Sequence, residues 1–126
     1  MDKHQHHEDL MQQIAKEYGD ILKNSGQSIY IYLDDNHKIC NEKFASLLGY
    51  DSASEWGNVE GSFPDAFVSE ISQGELINAY QEAMEKFVGS KITVSWKKKS
   101  GETVDTNVIL VPISHSGHLL ALHFVF

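Results

Sequence analysis

The 126-residue chain contains no arginine, one cysteine and only two prolines. With ten lysines against eighteen acidic residues, it lacks the clustered positive charge that a phosphate backbone requires, which argues against nucleic acid as a partner. The single cysteine cannot form an internal disulfide, and the N-terminus lacks the apolar run of a secretory signal, so we expect a cytoplasmic protein. No apolar stretch approaches the roughly 18 residues that span a bilayer, so direct membrane insertion is not expected.

The length of 126 residues, with 41% hydrophobic and 22% charged residues, is typical of one globular domain. The polar residues 1–7 are predicted to form a disordered tail. Residues 8–24 are predicted to form an amphipathic helix for dimerisation or for covering the sheet, and residues 27–126 the main domain. The apolar stripe of that helix consists of Leu10, Ile14, Tyr18, Ile21 and Leu22.

The rest of the chain alternates between strand and helix patterns. Strands are predicted at 28–33, 37–40, 91–98, 102–113 and 118–126, and longer helices at 42–48 and 75–88. Asn41 is placed to cap the first of these helices, and Gly49 and Gly89 to end them. Short turns at Ser100–Gly101 and Ser116–Gly117 make the strand pairs antiparallel. The predicted fold is α+β, a five-stranded antiparallel sheet with helices between strands 2 and 3 on one face.

Several short motifs follow this order along the chain. They are Asp34, Asn41, Phe44 and Leu47–Tyr50, then Lys99–Glu102, and then Val111–Ile113 with Gly117. Together they resemble the "D…N..F..L.GY" opening, the hairpin before the fourth strand and the final turn of a PAS domain. The resemblance runs from Ile29 to about Phe124 and implies the PAS-like fold just described.

The resemblance to PAS domains also implies a role. It implies a sensory or protein-interaction module, often dimeric, that serves as the input element of a kinase, cyclase or transcription regulator. In such domains the last strand commonly leads into a helix that relays the signal, whereas this sequence ends at Phe126. That leaves two alternatives, a fragment of a longer receptor or a free-standing module.

The strand alignment that the resemblance implies places an apolar set of side chains beneath the helices. The expected ligand pocket is lined by Ile31, Leu33, Leu48, Phe67, Ile77, Tyr80, Met84, Val94, Trp96, Thr106, Val108, Leu110, Leu122 and Phe124. The occupant would be a small hydrophobic molecule. The alternative is an ordinary packed core, since protein interiors fill to crystal density.

The opposite face of the sheet is also predicted to be apolar, so something must cover it. The N-terminal helix, a second copy of the chain, or both would do so, which favours a homodimer. The residues assigned to this outer face and to the dimer contact are Leu10, Ile14, Tyr18, Ile21, Tyr30, Tyr32, Ile109, Val111, Leu119 and His123. On this assignment, His123 would be a partly buried group that titrates at about pH 6 to 7.

No cofactor is predicted. The region that carries the reactive cysteine of flavin-binding PAS domains reads Glu55–Asn58 here, and Trp96 stands where an asparagine would be needed. Residues 62–90 contain no histidine for haem. His4, His6 and His7 lack fixed geometry in the predicted tail, so no metal site is predicted.

Three classes of function remain open at the level of sequence. A sensory PAS module that forms homodimers is favoured, because no catalytic constellation is apparent and no enzymatic activity is expected. One alternative is a small cone-shaped α+β enzyme with an apolar pocket. Such an enzyme would need a general base in that pocket, and the strand positions predicted to face inward include no carboxylate or histidine. The other alternative is a purely structural dimerisation domain.

Overall fold

A computed structural model describes residues 3–126, with side chains from residue 6 onward. Its elements in chain order are helices α1 (Lys3–Glu17) and α2 (Gly19–Asn24), strands β1 (Ser28–Asp34) and β2 (His37–Cys40), helices α3 (Glu42–Leu47), α4 (Ala53–Gly57), α5 (Phe63–Phe67) and α6 (Glu70–Lys86), and strands β3 (Ser90–Lys97), β4 (Thr103–His115) and β5 (His118–Val125). Within this described part, no helix is long and apolar enough to cross a membrane.

The five strands form one antiparallel sheet in the order β2-β1-β5-β4-β3. Helices α3 to α6, which lie between β2 and β3 in the chain, pack on one face, and α1 packs on the other. The predicted α+β fold is therefore confirmed, including the helix before the sheet. We call the face under α3 to α6 the inner face and the face under α1 the outer face.

The N-terminal segment differs from the prediction in three respects. The predicted helix 8–24 is two helices with a break at Tyr18. Residues 3–7 of the predicted disordered tail belong to α1, where polar contacts from the sheet hold its first turns, and residues 1–2 lie outside the described residues. Of the two stripe residues predicted beyond this break, Leu22 is buried but Ile21 is 55% exposed.

Each face of the sheet has its own hydrophobic core. The inner core is the larger one and contains several aromatic rings, of which those of Tyr30, Phe44, Trp56, Phe67 and Trp96 are fully buried. The outer core is smaller and aliphatic, and its buried members are Leu10, Met11, Ile14, Ile31 and Leu120. Helix α1 thus packs on Ile31 and Leu120, whereas α3 to α6 pack over Tyr30, Ala121 and Val125 of the same two strands.

The predicted facing of β1 and β5 is wrong, whereas that of β3 and β4 agrees with the structure. The inner face holds Tyr30, Tyr32, Ala121 and His123, and the outer face holds Ile31, Leu33, Leu122 and Phe124. Leu119 shares the strand side of Ala121 and His123 rather than the outer face.

The facing of β5 is set by the register in which it pairs with β4 across their connecting turn. Ser116 and Gly117 both have positive φ, at 51° and 80°, which is the conformation of a two-residue turn that pairs His115 with His118. Leu110, an inner residue, then lies directly opposite His123. Because directly opposed residues share a face, an offset of one residue reverses a whole strand.

Helix α6 is longer than predicted and ends for a different reason. It begins at Glu70, and Phe87 ends it in the left-handed conformation, with φ at 55°. Gly89 serves the packing that follows, because a Cβ atom there would lie 3.0 Å from the carbonyl oxygen of Leu110. Only a glycine permits β3 to begin so close to β4 without a shift in the backbone.

Asn41 connects the first hairpin to the helical layer, as a cap with more partners than sequence suggested. Its Oδ1 accepts hydrogen bonds from the backbone N–H of Phe44 at 3.0 Å and of Ile29 at 3.1 Å, and its Nδ2 donates to the carbonyl of Gln27 at 2.8 Å. The side chain is buried. Asn41 therefore caps α3 and fixes the start of β1 at the same time.

We expect Asn41→Ala to lower the free energy of unfolding by about 2 to 4 kcal/mol, because it removes a helix cap and leaves buried backbone groups without partners. Ser52→Ala is the matched control, since the Ser52 hydroxyl caps α4 through one bond, to the N–H of Glu55 at 3.0 Å. The control should cost about 1 kcal/mol. Urea unfolding of both variants measures the difference, and equal losses would contradict the bridging role of Asn41.

Candidate functional site

A cavity of about 60 Å³ lies between the inner face and helices α5 and α6. It is lined by Tyr30, Tyr32, Phe63, Pro64, Leu76, Ile77, Tyr80 and His123. Strands β1 and β5 supply its floor, since Tyr30 and His123 are cross-strand neighbours. The volume suits a few water molecules or a small organic molecule.

Tyr30 and His123 form a stacked pair at the floor of this cavity. Their ring centroids are 3.9 Å apart and the rings are nearly parallel, at 8°. Both side chains are almost wholly buried, yet the Tyr30 hydroxyl and the His123 Nδ1 atom have no hydrogen-bond partner among the described residues. Leaving such a group without a partner costs about 1 to 3 kcal/mol, which makes two of them beside one cavity unusual.

Both members of this pair are neutral at physiological pH. Burial lowers the pKa of His123 to about 3, although backbone groups of Tyr30 and Ala121 oppose the shift. Burial, with a smaller contribution from Tyr32, raises the pKa of Tyr30 well above its ordinary value. The expectation that His123 lies on the outer face and titrates near neutral pH is therefore wrong. A neutral imidazole and a phenol can each donate or accept one hydrogen bond.

The β1–β2 turn closes one side of the cavity. The Tyr32 hydroxyl donates to Asp35 Oδ1 at 2.8 Å, and the same oxygen accepts from the backbone N–H of Phe63 at 3.1 Å. Tyr80 packs edge-on against Tyr32, with ring centroids 5.2 Å apart. Asp35 thus holds two walls of the cavity, the Tyr32 ring and the start of α5, in a fixed relation.

Most of the expected pocket residues lie elsewhere. Of that set, Ile77 and Tyr80 line the cavity, and Ile31, Leu33, Leu122 and Phe124 belong to the outer face. The remainder belong to the packed inner core or border it, namely Leu48, Phe67, Met84, Val94, Trp96, Thr106, Val108 and Leu110. The polar groups of two of them satisfy each other, since Trp96 Nε1 donates to Thr106 Oγ1 at 2.8 Å.

Sequence reasoning missed Tyr30 and His123 as cavity residues. Both were placed on the outer face, and the polar groups expected in the cavity were instead those of Tyr80, Trp96 and Thr106. The two-residue turn at Ser116–Gly117 could have revealed the facing of His123. If the strands are paired outward from this turn, His123 lies opposite Leu110, which was correctly predicted to face inward.

A second polar group of residues lies on the outer side, where α1 meets the β1–β2 turn. His7 Nδ1 is 2.7 Å from Asp34 Oδ2, and His37 Nδ1 is 2.6 Å from Asp34 Oδ1. Burial opposes ionisation of Asp34, but the hydrogen bonds from His37 and His7 outweigh it and hold the pKa of the carboxyl below its ordinary value. Beside them, the Nε2 atoms of His6 and His118 are 2.6 Å apart.

Comparison with known proteins identifies the fold through structure alone. No family model and no curated protein sequence matches the chain. Solved structures do match it. The PAS domain of an HTR-like protein from Haloarcula marismortui is 17% identical with a TM-score of 0.66, and the match covers 97% of this chain and 98% of that chain.

Two further structures show how wide this likeness is. The LOV protein of Rhodobacter sphaeroides is 13% identical with a TM-score of 0.70, and the match covers 91% of this chain and 66% of that one. The PAS-B domain of Drosophila melanogaster Cycle, solved with bound ethylene glycol, is 12% identical with a TM-score of 0.57, and the match covers 79% of this chain and 99% of that one. At such identities the likeness concerns the fold.

We expect Tyr30→Phe to leave the free energy of unfolding unchanged or to raise it by up to about 1 kcal/mol, because it removes a buried hydroxyl that has no partner among the described residues. Tyr32→Phe is the matched control and should lower it by about 1 kcal/mol, since it breaks the bond to Asp35. Chemical denaturation of the ligand-free protein compares them. A clear loss of stability in Tyr30→Phe would show that its hydroxyl has a partner within the protein.

Proposed function

Because the chain has the PAS fold, we propose that it is a sensory module that binds a small uncharged molecule in the cavity beside Tyr30 and His123. The observation that carries the proposal is that two side chains lining the cavity, Tyr30 and His123, each have a buried polar atom with no hydrogen-bond partner among the described residues. A ligand hydroxyl or amide group that reached either atom would give it a hydrogen-bond partner and so recover part of the free energy that burial costs it.

The lining sets the chemistry of this ligand. As the described residues define it, the lining contains no charged side chain, and around the Tyr30–His123 floor it is aromatic and aliphatic. An ionised group placed there would lose its hydration without a counter-charge, so a charged ligand is disfavoured. The ligand class is therefore a compact molecule with an apolar body and a single polar end, more specific than the hydrophobic molecule expected from sequence.

The enzyme alternative has to be weighed again, because the structure places a histidine on the inner face after all. A base with a pKa of about 3 is far from the pKa near the working pH that proton transfer favours. No carboxylate lines the cavity to orient or activate the ring, as far as the described residues show. These features support binding rather than catalysis.

Propane-1,2-diol is a suitable first probe, because it combines adjacent hydroxyls with a methyl group in a volume close to that of the cavity. We expect millimolar titration to shift the NMR signals of the His123 ring and of the Tyr80 ring in a saturable way. Tyr30→Phe should weaken the binding about tenfold, which corresponds to the loss of one hydrogen bond of about 1.4 kcal/mol.

Val104→Ala is the control for this titration, because Val104 borders the inner core but does not line the cavity. It should bind the probe as the unmodified protein does. Equal binding by Tyr30→Phe, or shifts spread over the surface without saturation, would contradict the proposed site.

We propose further that the module acts as a homodimer through the part of the outer face beside α1. Ile109 is 37% exposed there, and its cross-strand partner Phe124 and neighbour Val111 are only partly buried. Two copies could cover this aliphatic strip together. An output domain such as a kinase, cyclase or transcription regulator would then receive the signal, and the expected cytoplasmic location also stays a prediction.

Ile109→Glu should convert the dimer to a monomer, because it places a charge in the proposed contact. The matched control is Ile71→Glu, since Ile71 is 86% exposed on α6, on the other side of the sheet. Light scattering over a range of protein concentrations measures the mass of each variant. A monomeric unmodified protein, or an Ile109→Glu variant that still dimerises, would contradict this contact.

A further inference from the structure

We propose that His7, Asp34 and His37 form a binding site for a divalent transition-metal ion that joins helix α1 to the β1–β2 turn. The three residues come from three elements, α1, β1 and β2. Asp34 and His37 lie at the two ends of the turn, and His7 lies on α1, which packs over it. Sequence reasoning dismissed the N-terminal histidines for want of fixed geometry, and the packing of α1 provides that geometry for His7.

The donor atoms are already close to the positions that a metal ion requires. One ligand atom from each residue lies within 4.8 Å of the other two. With bonds of about 2.0 to 2.2 Å to nitrogen and oxygen, the ligands of a tetrahedral ion are roughly 3.3 Å apart. The hydrogen-bonded contacts to Asp34, at 2.6 and 2.7 Å, would therefore need to open by less than about 1 Å.

The chemistry of the set selects the class of ion. Two imidazoles and one carboxylate suit Zn²⁺ and its first-row neighbours, whereas Mg²⁺ and Ca²⁺ prefer oxygen ligands throughout. The backbone N–H of Asn36 donates to Asp34 Oδ1 at 3.0 Å and orients the carboxylate. Glu8 lies at the other edge of the His37 ring, with its Oε1 atom 3.8 Å from His37 Nε2, so a water molecule would supply the fourth ligand.

The site differs from loose chelation by a histidine-rich segment. His37 is buried and rigidly placed on β2, and Asp34 belongs to the end of β1. An ion held by all three would bind only the docked form of α1, so it would stabilise the folded protein and the contact between α1 and the sheet.

The test titrates the full chain with Zn²⁺ in a calorimeter and with Co²⁺ in an absorption spectrometer. We expect one ion per chain, strong visible bands typical of four- or five-coordinate Co²⁺, and a higher melting temperature with Zn²⁺. Asp34→Asn and His7→Ala should each weaken Zn²⁺ binding at least about tenfold. His115→Gln, which changes a histidine outside the set, should bind as the unmodified chain does.

Asp34→Asn is the decisive variant, because it keeps every histidine of the N-terminal segment. If it binds Zn²⁺ as tightly as the unmodified chain, the histidines chelate the ion by themselves and the proposed site is wrong. The Co²⁺ spectrum of the unmodified chain gives an answer that depends on no variant. Weak bands of six-coordinate Co²⁺, or no stoichiometric binding, would overturn the proposal even if a substitution impaired folding.

Discussion

The sheet is apolar on both faces, and the remaining structure follows from the need to cover both. Strand β1 shows the constraint in consecutive residues, because Tyr30 packs under the helices between β2 and β3 while Ile31 packs under α1. A bare outer face would expose a larger apolar patch than soluble monomers usually tolerate. Helix α1 is therefore part of the folded unit, and successive residues of the same strands contribute to two different cores.

The β1–β2 turn contacts both α1, which packs on the outer face, and α5, which packs on the inner face. Asp34 contacts His7 of α1 on the outer side, and Asp35 accepts the Tyr32 hydroxyl and the Phe63 N–H at the cavity wall. Lys38 follows, buried, with Nζ donating to the carbonyls of Asp35 and Val59. A movement of Tyr32 would thus shift Asp35, which is the residue next to Asp34 in the chain. The turn gives the cavity and α1 a direct physical connection, in contiguous hydrogen-bonded groups.

Sequence predicted the order of elements because each carries a strong local signal. The facing of β4 was predicted for the same reason, since Thr103, Asp105 and Asn107 alternate with Val104, Thr106 and Val108. Strands β1 and β5 carry apolar residues at both parities, so alternation could not distinguish their faces. The floor of the cavity, which depends on that facing, was missed for the same reason, although Ile77 and Tyr80 of its helical wall were predicted. The contact of His7 with Asp34 depends on the packing of α1, which no local pattern encodes.

The position of β1 between β2 and β5 has a consequence for folding kinetics. Strands β3, β4 and β5 pair through short turns, so their ladders close small loops. The pairing of Tyr30 with His123, by contrast, joins residues more than ninety positions apart. Loop-closure entropy makes such long-range pairing slow compared with local hairpins. The cavity floor is built from this one pair, so the cavity forms only after β1 and β5 have paired.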